Sequence, residues 1–344
     1  MQRLDSYRLA MLAAFPGVAD DELDRALQSL GPTCASFIDQ HGLAAVWHER
    51  TGYEEFRDMR RRDEALYLGQ EQVLTEIDAI LEQRGIDYAV IKGGANRLLL
   101  YDNPAIRACH DLDVLVRPED RLKAARALAE AGFEPRVEPG NISRELVLSR
   151  NRADIDLHWA LLREGRLRED PTPGMLERRR RVGSIWALGA EDTLYLLLVH
   201  PAFGKHLSSW NMGLHRVADV VRWLQTQETD WQAVKAQLRE TGVSTAAWAT
   251  LRWVQMLAGD RAPGELDAML ADTRPDPLRC RWLERWLRRD LSLRLARTNW
   301  VRLLGFSLFL HDRPSDAVRA LRGRIRARRR QAADLAAFDG LAGQ

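Results

Sequence analysis

Two aspartates separated by one apolar residue are the first feature of the sequence that could support chemistry. Asp111 and Asp113 stand in the run DLDVLV, which predicts a strand whose alternate side chains point to the same face. Two adjacent carboxylates repel each other, and Mg²⁺ or Mn²⁺ would neutralise them, since both cations prefer oxygen ligands. The pair therefore predicts a site for a hard divalent cation. A solvent-exposed strand end is the alternative for so short a motif.

A later run, ADIDLHW, offers a third carboxylate. Asp154, Asp156 and His158 alternate along this predicted strand and so share one face. A carboxylate from a second strand would complete a two-metal site, in which one metal activates an attacking hydroxyl and the other stabilises the leaving group. On spacing alone, Asp154 and Asp156 are both candidates.

A glycine turn upstream predicts a phosphate site. Lys92, Gly93 and Gly94 lie between a predicted strand and a predicted helix, where the backbone can approach phosphate closely and the helix N-terminus attracts anions. A simple turn is the alternative. Arg107 could clamp a triphosphate, because its guanidinium matches phosphate oxygens. His110 could orient a carboxylate or contact the nucleotide, or it could serve the structure alone.

The elements that must position these residues predict an α+β fold with a small mixed sheet. Helical periodicity extends to residue 85, with a long helix from Tyr53 to Arg84, and it returns from Glu191 onward. The predicted domains are a helical N-terminal region (1–85), an α/β core (86–190) and a helical C-terminal domain (191–344). Strands are predicted in the core at 88–91, 111–116, 133–137, 145–148 and 153–159, and helices at 95–100 and 118–131.

With these elements in order, the stretch IKGGANRLLLYDNPAIRACHDLDVLVRPEDRLKAARALAEAGFE resembles the core of the DNA polymerase β-like nucleotidyltransferase superfamily. It is most similar to the branch of uncharacterised bacterial nucleotidyltransferases. In that branch Lys-Gly and a small residue replace the usual Gly-Ser, an arginine precedes the first aspartate strand, and a later strand carries D-L-H-W. The resemblance covers roughly residues 85 to 230. The matching residues are Lys92-Gly93-Gly94, Arg107, Asp111-Leu112-Asp113 and Asp156-Leu157-His158-Trp159.

The resemblance implies a magnesium-dependent enzyme that transfers a nucleoside monophosphate from a nucleoside triphosphate to an acceptor. It implies Asp111 and Asp113 on both metals, and Asp156 rather than Asp154 on the metal that activates the acceptor. Lys92 would replace the missing serine in neutralising the phosphates. The acceptor stays open among a peptide, a small molecule and an RNA 3′ end, and the branch's association with bacterial natural-product gene clusters favours a tailoring role. A nucleotide- or RNA-binding protein, or a toxin–antitoxin component, with this fold but without turnover is the alternative.

Composition sets the remaining limits. The 344 residues include 51 Lys and Arg against 49 Asp and Glu, and the net charge of +2 does not indicate a nucleic-acid binder. Three cysteines without a C-x-x-C pair argue against a disulfide framework and are typical of a cytoplasmic protein. No apolar run approaches the ~20 residues that span a bilayer, so we expect no membrane insertion. A basic run could bind RNA or form a solvated helix end; it comprises Arg319, Arg322, Arg324, Arg326, Arg328, Arg329 and Arg330.

Overall fold

The structure is a computed structural model that describes residues 3–136, 143–151, 153–207, 213–295 and 297–342. For residues 330–337 and 339–342 it describes the backbone alone. Val137, the end of one predicted strand, and the side chain of Arg330 in the basic run lie outside the described part.

Seven strands of the described chain form one mixed sheet in the order β3-β4-β5-β2-β1-β7-β6. The central strand β2 pairs antiparallel with β1 and parallel with β5. The strands are β1 (Tyr88–Ile91), β2 (Leu112–Val116), β3 (Glu134–Arg136), β4 (Glu145–Arg150), β5 (Ala153–His158), β6 (Arg180–Val182) and β7 (Ile185–Ala187).

Helices precede the sheet, connect its strands and follow it. The N-terminal helices are α1 (Arg3–Met11), α2 (Asp20–Leu30), α3 (Cys34–Gln40), α4 (Ala44–Thr51) and α5 (Arg57–Gln83). The helices between strands are α6 (Lys92–Leu100), α7 (Arg121–Glu130) and α8 (Thr172–Glu177). The C-terminal helices are α9 (Ala190–Gly204), α10 (Leu214–Thr226), α11 (Trp231–Thr241), α12 (Ser244–Ala258), α13 (Glu265–Thr273), α14 (Pro277–Arg288), α15 (Leu291–Arg294), α16 (Asn299–Gly305) and α17 (Pro314–Ala342). Short 3₁₀ helices span Leu12–Ala14, Glu54–Phe56, Pro104–Ile106, Pro118–Asp120, Gly259–Arg261 and Ser307–Leu310.

The predicted α+β fold is confirmed, with three local differences. Helix α6 begins at Lys92 instead of residue 95, so the glycine turn forms the first turn of the helix itself. Strand β2 begins at Leu112, so Asp111 precedes the strand. The hairpin of β6 and β7 was not predicted, because its strands are three residues long and β6 reads Arg-Arg-Val, without an apolar alternation.

Alternation along the strands divides the sheet's apolar residues between two helical layers. Val90 and Val114 face a core that contains Ile77 of α5 and Leu128 of α7. The apolar residues of α5 recur at helical spacing, which is why this long helix can bury one stripe against the sheet. Apart from the exposed Leu68, most of its remaining surface is polar, and the helix therefore forms an outer layer.

The opposite face of the sheet meets helices from both ends of the chain. Ile91 and Leu115 belong to a second core, which also contains Trp47 of α4 and Trp253 of α12. The N-terminal and C-terminal helices thus bury apolar surface together over the face on which Asp113 lies. Among the described residues, no helix combines the length and the apolar character needed to cross a bilayer.

The last helix, α17, returns to the sheet. Asp316 near its start accepts hydrogen bonds from Arg168 at 3.0 Å (Nε–Oδ1) and 2.6 Å (Nη2–Oδ2). The ring of Phe338 near its end packs on Trp159, with 5.6 Å between centroids. In the middle of the helix, Gly323 lies directly against the 164–165 turn, which follows β5. The C-terminus is therefore anchored to the segment that follows the D-x-D-L-H run.

Gly323→Ala should destabilise the protein by about 1–3 kcal/mol, the usual cost of forcing a methyl group into a packed contact. A Cβ at this position would collide with the backbone carbonyl of Glu164, which cannot rotate away. Gly69→Ala in α5 is the matched control, because a Cβ there has no neighbour within 4 Å, and it should stabilise the protein by about 0.5–1 kcal/mol. Denaturant unfolding measures both. Equal effects of the two substitutions would contradict the close contact of α17.

Candidate functional site

Two carboxylates lie side by side on neighbouring strands. Asp113 of β2 and Asp156 of β5 are direct partners in the parallel register, and Leu115 pairs with His158 two residues later. Asp113 is 3% exposed, and Asp156 is partly buried. The side chains of both point away from the α5 layer, toward the helices of the second core. The pair is therefore fixed by sheet hydrogen bonds and not by flexible loops.

A histidine completes a group that could hold a metal ion. Ligand atoms of Asp113, Asp156 and His158 lie within 4.8 Å of one another. His158 Nε2 is 2.8 Å from Asp113 Oδ1, and its Nδ1 is 3.4 Å from Glu145 Oε2 on β4. A carboxylate on the far nitrogen is the usual way in which proteins orient a metal-binding imidazole. Two carboxylates and one imidazole nitrogen are donors that fit a divalent cation.

Of the four candidate aspartates, Asp113 and Asp156 belong to this compact group, whereas Asp111 and Asp154 lie outside it. Asp111, expected on the strand beside Asp113, is exposed just before β2, and it lies outside the compact group although it lines the same cavity. Asp154, the alternative third carboxylate, bonds with Ser149 Oγ and lies 4.0 Å from Arg136 Nη1, away from the cavity lining. His158 was not predicted as a ligand, although its alternation with Asp156 on one strand was the available signal.

Lys92 brings a positive charge directly to Asp113. Its Nζ donates to Asp113 Oδ1 and lies 3.1 Å from His158 Nε2. The residue has φ +53°, in the left-handed region that residues other than glycine rarely adopt. Such strain persists where the surroundings enforce it, and it is common at binding sites. Lys92 is therefore held in an unfavourable backbone conformation with its ammonium group on the buried carboxylate.

The charges around the pair move their pKa values in opposite directions. Burial would raise the pKa of Asp113, but the Lys92 ammonium and the His158 hydrogen bond outweigh it and hold this pKa well below its usual range. Burial, followed by the charge of Asp113, raises the pKa of Asp156 to about 6. Asp113 is therefore ionised at neutral pH, and its charge repels the carboxylate of Asp156. An added cation would relieve this repulsion.

The glycine turn and Arg107 form one packed unit. A Cβ on Gly93 would lie 2.7 Å from Arg107 Nη1 and 2.8 Å from Cys109 Sγ, and a Cβ on Gly94 would lie 2.9 Å from Val90 Cγ1. Both glycines are thus required by packing at the start of α6, in addition to any role toward phosphate.

Arg107, predicted as a triphosphate clamp, is held in a buried ion pair. Its Nη2 and Nε donate to Asp219 of α10 at 2.6 and 3.3 Å, and its Nη1 donates to the Ala108 carbonyl at 2.7 Å. Asp219 also accepts from Asn96 and Tyr101. Three donors of Arg107 are therefore used within the protein, and the residue ties the glycine turn to α10.

A cavity of about 510 Å³ surrounds the carboxylates and is rich in positive charge. Lys205 and Arg216 line it near Asp111 and Asp113, and burial, Arg216 and Lys92 lower the pKa of Lys205. His110 lines the cavity as an exposed residue. Burial holds the pKa of His200 well below its usual range, so its ring is neutral. An acidic group thus shares one cavity with basic residues from α6, from the end of α9 and from α10.

Residues 26–259 match the model of a protein family described as "Uncharacterised nucleotidyltransferase". The match covers more than half of the chain and includes every residue that lines the cavity. No curated protein sequence matches the chain.

Asp219→Ala should lower the free energy of unfolding by about 3–5 kcal/mol, because it leaves the Arg107 guanidinium buried without a counter-charge. The side chains of Arg107 and Asp219 are only 5% and 0% exposed. Arg25→Ala is the control, since it removes an ion pair whose side chains are 65% and 68% exposed, and the unfolding midpoint should barely change. Chemical denaturation measures both. A small effect of Asp219→Ala would contradict the structural role assigned to Arg107.

Proposed function

The chain belongs to the family of uncharacterised nucleotidyltransferases, and on that premise we propose that it uses magnesium to transfer a nucleoside monophosphate from a nucleoside triphosphate to an acceptor hydroxyl. The observation that carries this proposal is the register of Asp113 with Asp156, beside His158 and inside a basic cavity. Carboxylates on adjacent strands suit magnesium, and the basic residues suit the triphosphate.

Magnesium is proposed to bind Asp113 and Asp156, with Asp111 as a further ligand from the segment before β2. His158 is a candidate ligand through Nε2, or it orients Asp113 through the same atom. When bound, the metal would neutralise the triphosphate and lower the pKa of the acceptor hydroxyl. Asp111 is exposed at the cavity wall, which suits a ligand that engages the metal together with nucleotide phosphates.

The triphosphate is proposed to lie on the Lys92 side of the carboxylates. The start of α6, with Lys92 and Gly93, supplies backbone N–H groups and a favourable helix dipole. Lys205 and Arg216 supply full charges; each interacts electrostatically with Asp111 and Asp113, so both lie near the carboxylates. With a cation bound to Asp113, the Lys92 ammonium would be free to leave this carboxylate and donate to a phosphate oxygen.

The proposed reaction is a displacement at the α-phosphorus. The acceptor oxygen forms a bond to this phosphorus, the bond to the bridging oxygen of the β-phosphate breaks, and pyrophosphate leaves with the electron pair. The hydroxyl proton passes to the carboxylate of Asp156. Lys92, Lys205 and Arg216 stabilise the negative charge that develops on the leaving pyrophosphate.

Asp156→Asn should abolish magnesium-dependent release of labelled monophosphate from an α-labelled triphosphate, with water as the acceptor, while triphosphate affinity changes little. We expect a loss of at least about 100-fold in turnover, the lower end of what general acid–base groups contribute. Asp154→Asn is the matched control, since Asp154 lies on the same strand and face but bonds with Ser149 outside the cavity. It should keep wild-type turnover.

Radiolabel release measures turnover, and calorimetry with a non-hydrolysable triphosphate measures affinity. An inactive Asp154→Asn beside an active Asp156→Asn would reject the assigned third carboxylate. A wild-type protein that binds triphosphate with magnesium but never cleaves it would favour the alternative of a non-catalytic nucleotide-binding protein.

A further inference from the structure

A second basic cluster lines the same cavity on the other side of the carboxylates. In the sheet order β4-β5-β2-β1, Glu145, Asp156 and Asp113 share one face, and Lys92 directly follows β1. Arg163 Nη2 lies 3.4 Å from the Oγ of Ser143, which precedes β4. Arg163 is thus at the β4 end of this series, opposite the glycine turn. Arg166 lines the cavity beside it.

Arg163 and Arg166 are held in a rigid turn. The Arg166 N–H donates to the Arg163 carbonyl at 3.2 Å. Gly165 between them has φ +80°, and a Cβ there would lie 2.6 Å from the Arg319 carbonyl of α17. Arg166 Nη1 donates to the Phe203 carbonyl at 2.8 Å, and its guanidinium lies 5.2 Å from the Phe203 ring. The turn is therefore buttressed from both α9 and α17.

The charge of Arg166 lacks a counter-ion within the described chain. The residue is 8% exposed, and no described carboxylate lies within 4.0 Å of its guanidinium or that of Arg163. Burial and the charges of Arg163 and Arg324 lower the pKa of Arg166 to about 9. Placing like charges together in a buried cavity is costly unless an anion joins them.

We infer that Arg163 and Arg166 form an anion subsite that binds a phosphate monoester carried by the acceptor. This inference rests on the proposed function, in which the triphosphate occupies the Lys92 side. A phosphate dianion matches two guanidiniums in charge and in hydrogen-bond geometry, whereas a carboxylate brings one negative charge. Each phosphodiester of a nucleic acid also brings one negative charge, and it therefore matches the paired guanidiniums less well than a phosphate monoester does. The acceptor class is therefore a small hydroxyl compound with a terminal phosphate.

Inorganic phosphate is the probe for this subsite. It should bind the full chain by calorimetry both without nucleotide and with saturating magnesium and a non-hydrolysable triphosphate. Arg166→Met should weaken phosphate binding by about 10- to 100-fold, the range expected for charge-assisted hydrogen bonds, and leave triphosphate affinity unchanged. Arg166→Lys should bind phosphate with an affinity between those of the wild type and Arg166→Met, since it keeps the charge but loses the planar guanidinium. Arg329→Met is the control, at an exposed position of the basic run, and it should bind phosphate with wild-type affinity.

Three further measurements distinguish a phosphate subsite from a misfolded variant, a carboxylate site and a nucleic-acid site. Arg163→Gln, at a less buried position, should also weaken phosphate binding, so that a misfolded Arg166→Met would not decide the question. Acetate at equal ionic strength should bind at least about tenfold more weakly than phosphate. An oligoribonucleotide without terminal phosphates should fail to displace phosphate.

The inference is overturned if phosphate does not bind, if either arginine variant that folds binds it normally, if acetate binds equally well, or if the oligoribonucleotide displaces it. Competition between phosphate and the triphosphate would also overturn it, because the arginines would then belong to the nucleotide site. Failure of the triphosphate itself to bind would instead refute the proposed function, while phosphate binding without nucleotide still reports on the arginines.

Discussion

The repulsion between Asp113 and Asp156, set side by side by the parallel pairing of β2 with β5, is the constraint on which the site depends. Asp113 is nearly inaccessible to water, so its charge must be balanced within the protein. Lys92 provides that balance, from a left-handed backbone conformation that a lysine adopts only at a cost. The strained strand-to-helix junction and the position of the ammonium group are therefore both explained by the buried carboxylate.

A metal ion can replace the ammonium group of Lys92 beside Asp113. The Lys92 ammonium contacts Asp113 and His158, two of the three residues whose donor atoms cluster closely enough to share one ion. On metal binding Lys92 would be free to follow the phosphates, and the positive charge of the cavity would then be used by the nucleotide. The basic residues divide into two groups on either side of the carboxylates, which suits a transfer between two anionic substrates.

Much of this could be predicted from local sequence, because strand alternation and the glycine turn are local properties. The strand pattern predicted the face shared by Asp156 and His158, and the resemblance selected Asp156 over Asp154. The partner of Arg107 could not be predicted, since Asp219 is 112 residues away and only tertiary packing brings the two together. The same holds for the turn that carries Arg163 and Arg166, because its Gly165 packs against α17, a helix that begins nearly 150 residues later. Long-range packing places Arg107, one expected phosphate ligand, in a buried ion pair, and it brings to the cavity basic residues that no motif indicates.

We propose that Asp113 and Asp156 bind the metal ion that accompanies a nucleoside triphosphate. Diffraction at the manganese absorption edge, from crystals of the full chain grown with Mn²⁺ and a non-hydrolysable triphosphate, tests it most directly. We expect an anomalous peak about 2.1 Å from carboxylate oxygens of both aspartates, with the Lys92 ammonium moved from Asp113 to the phosphates. A manganese peak that avoids Asp113 and Asp156, or a triphosphate bound outside this cavity, would contradict it.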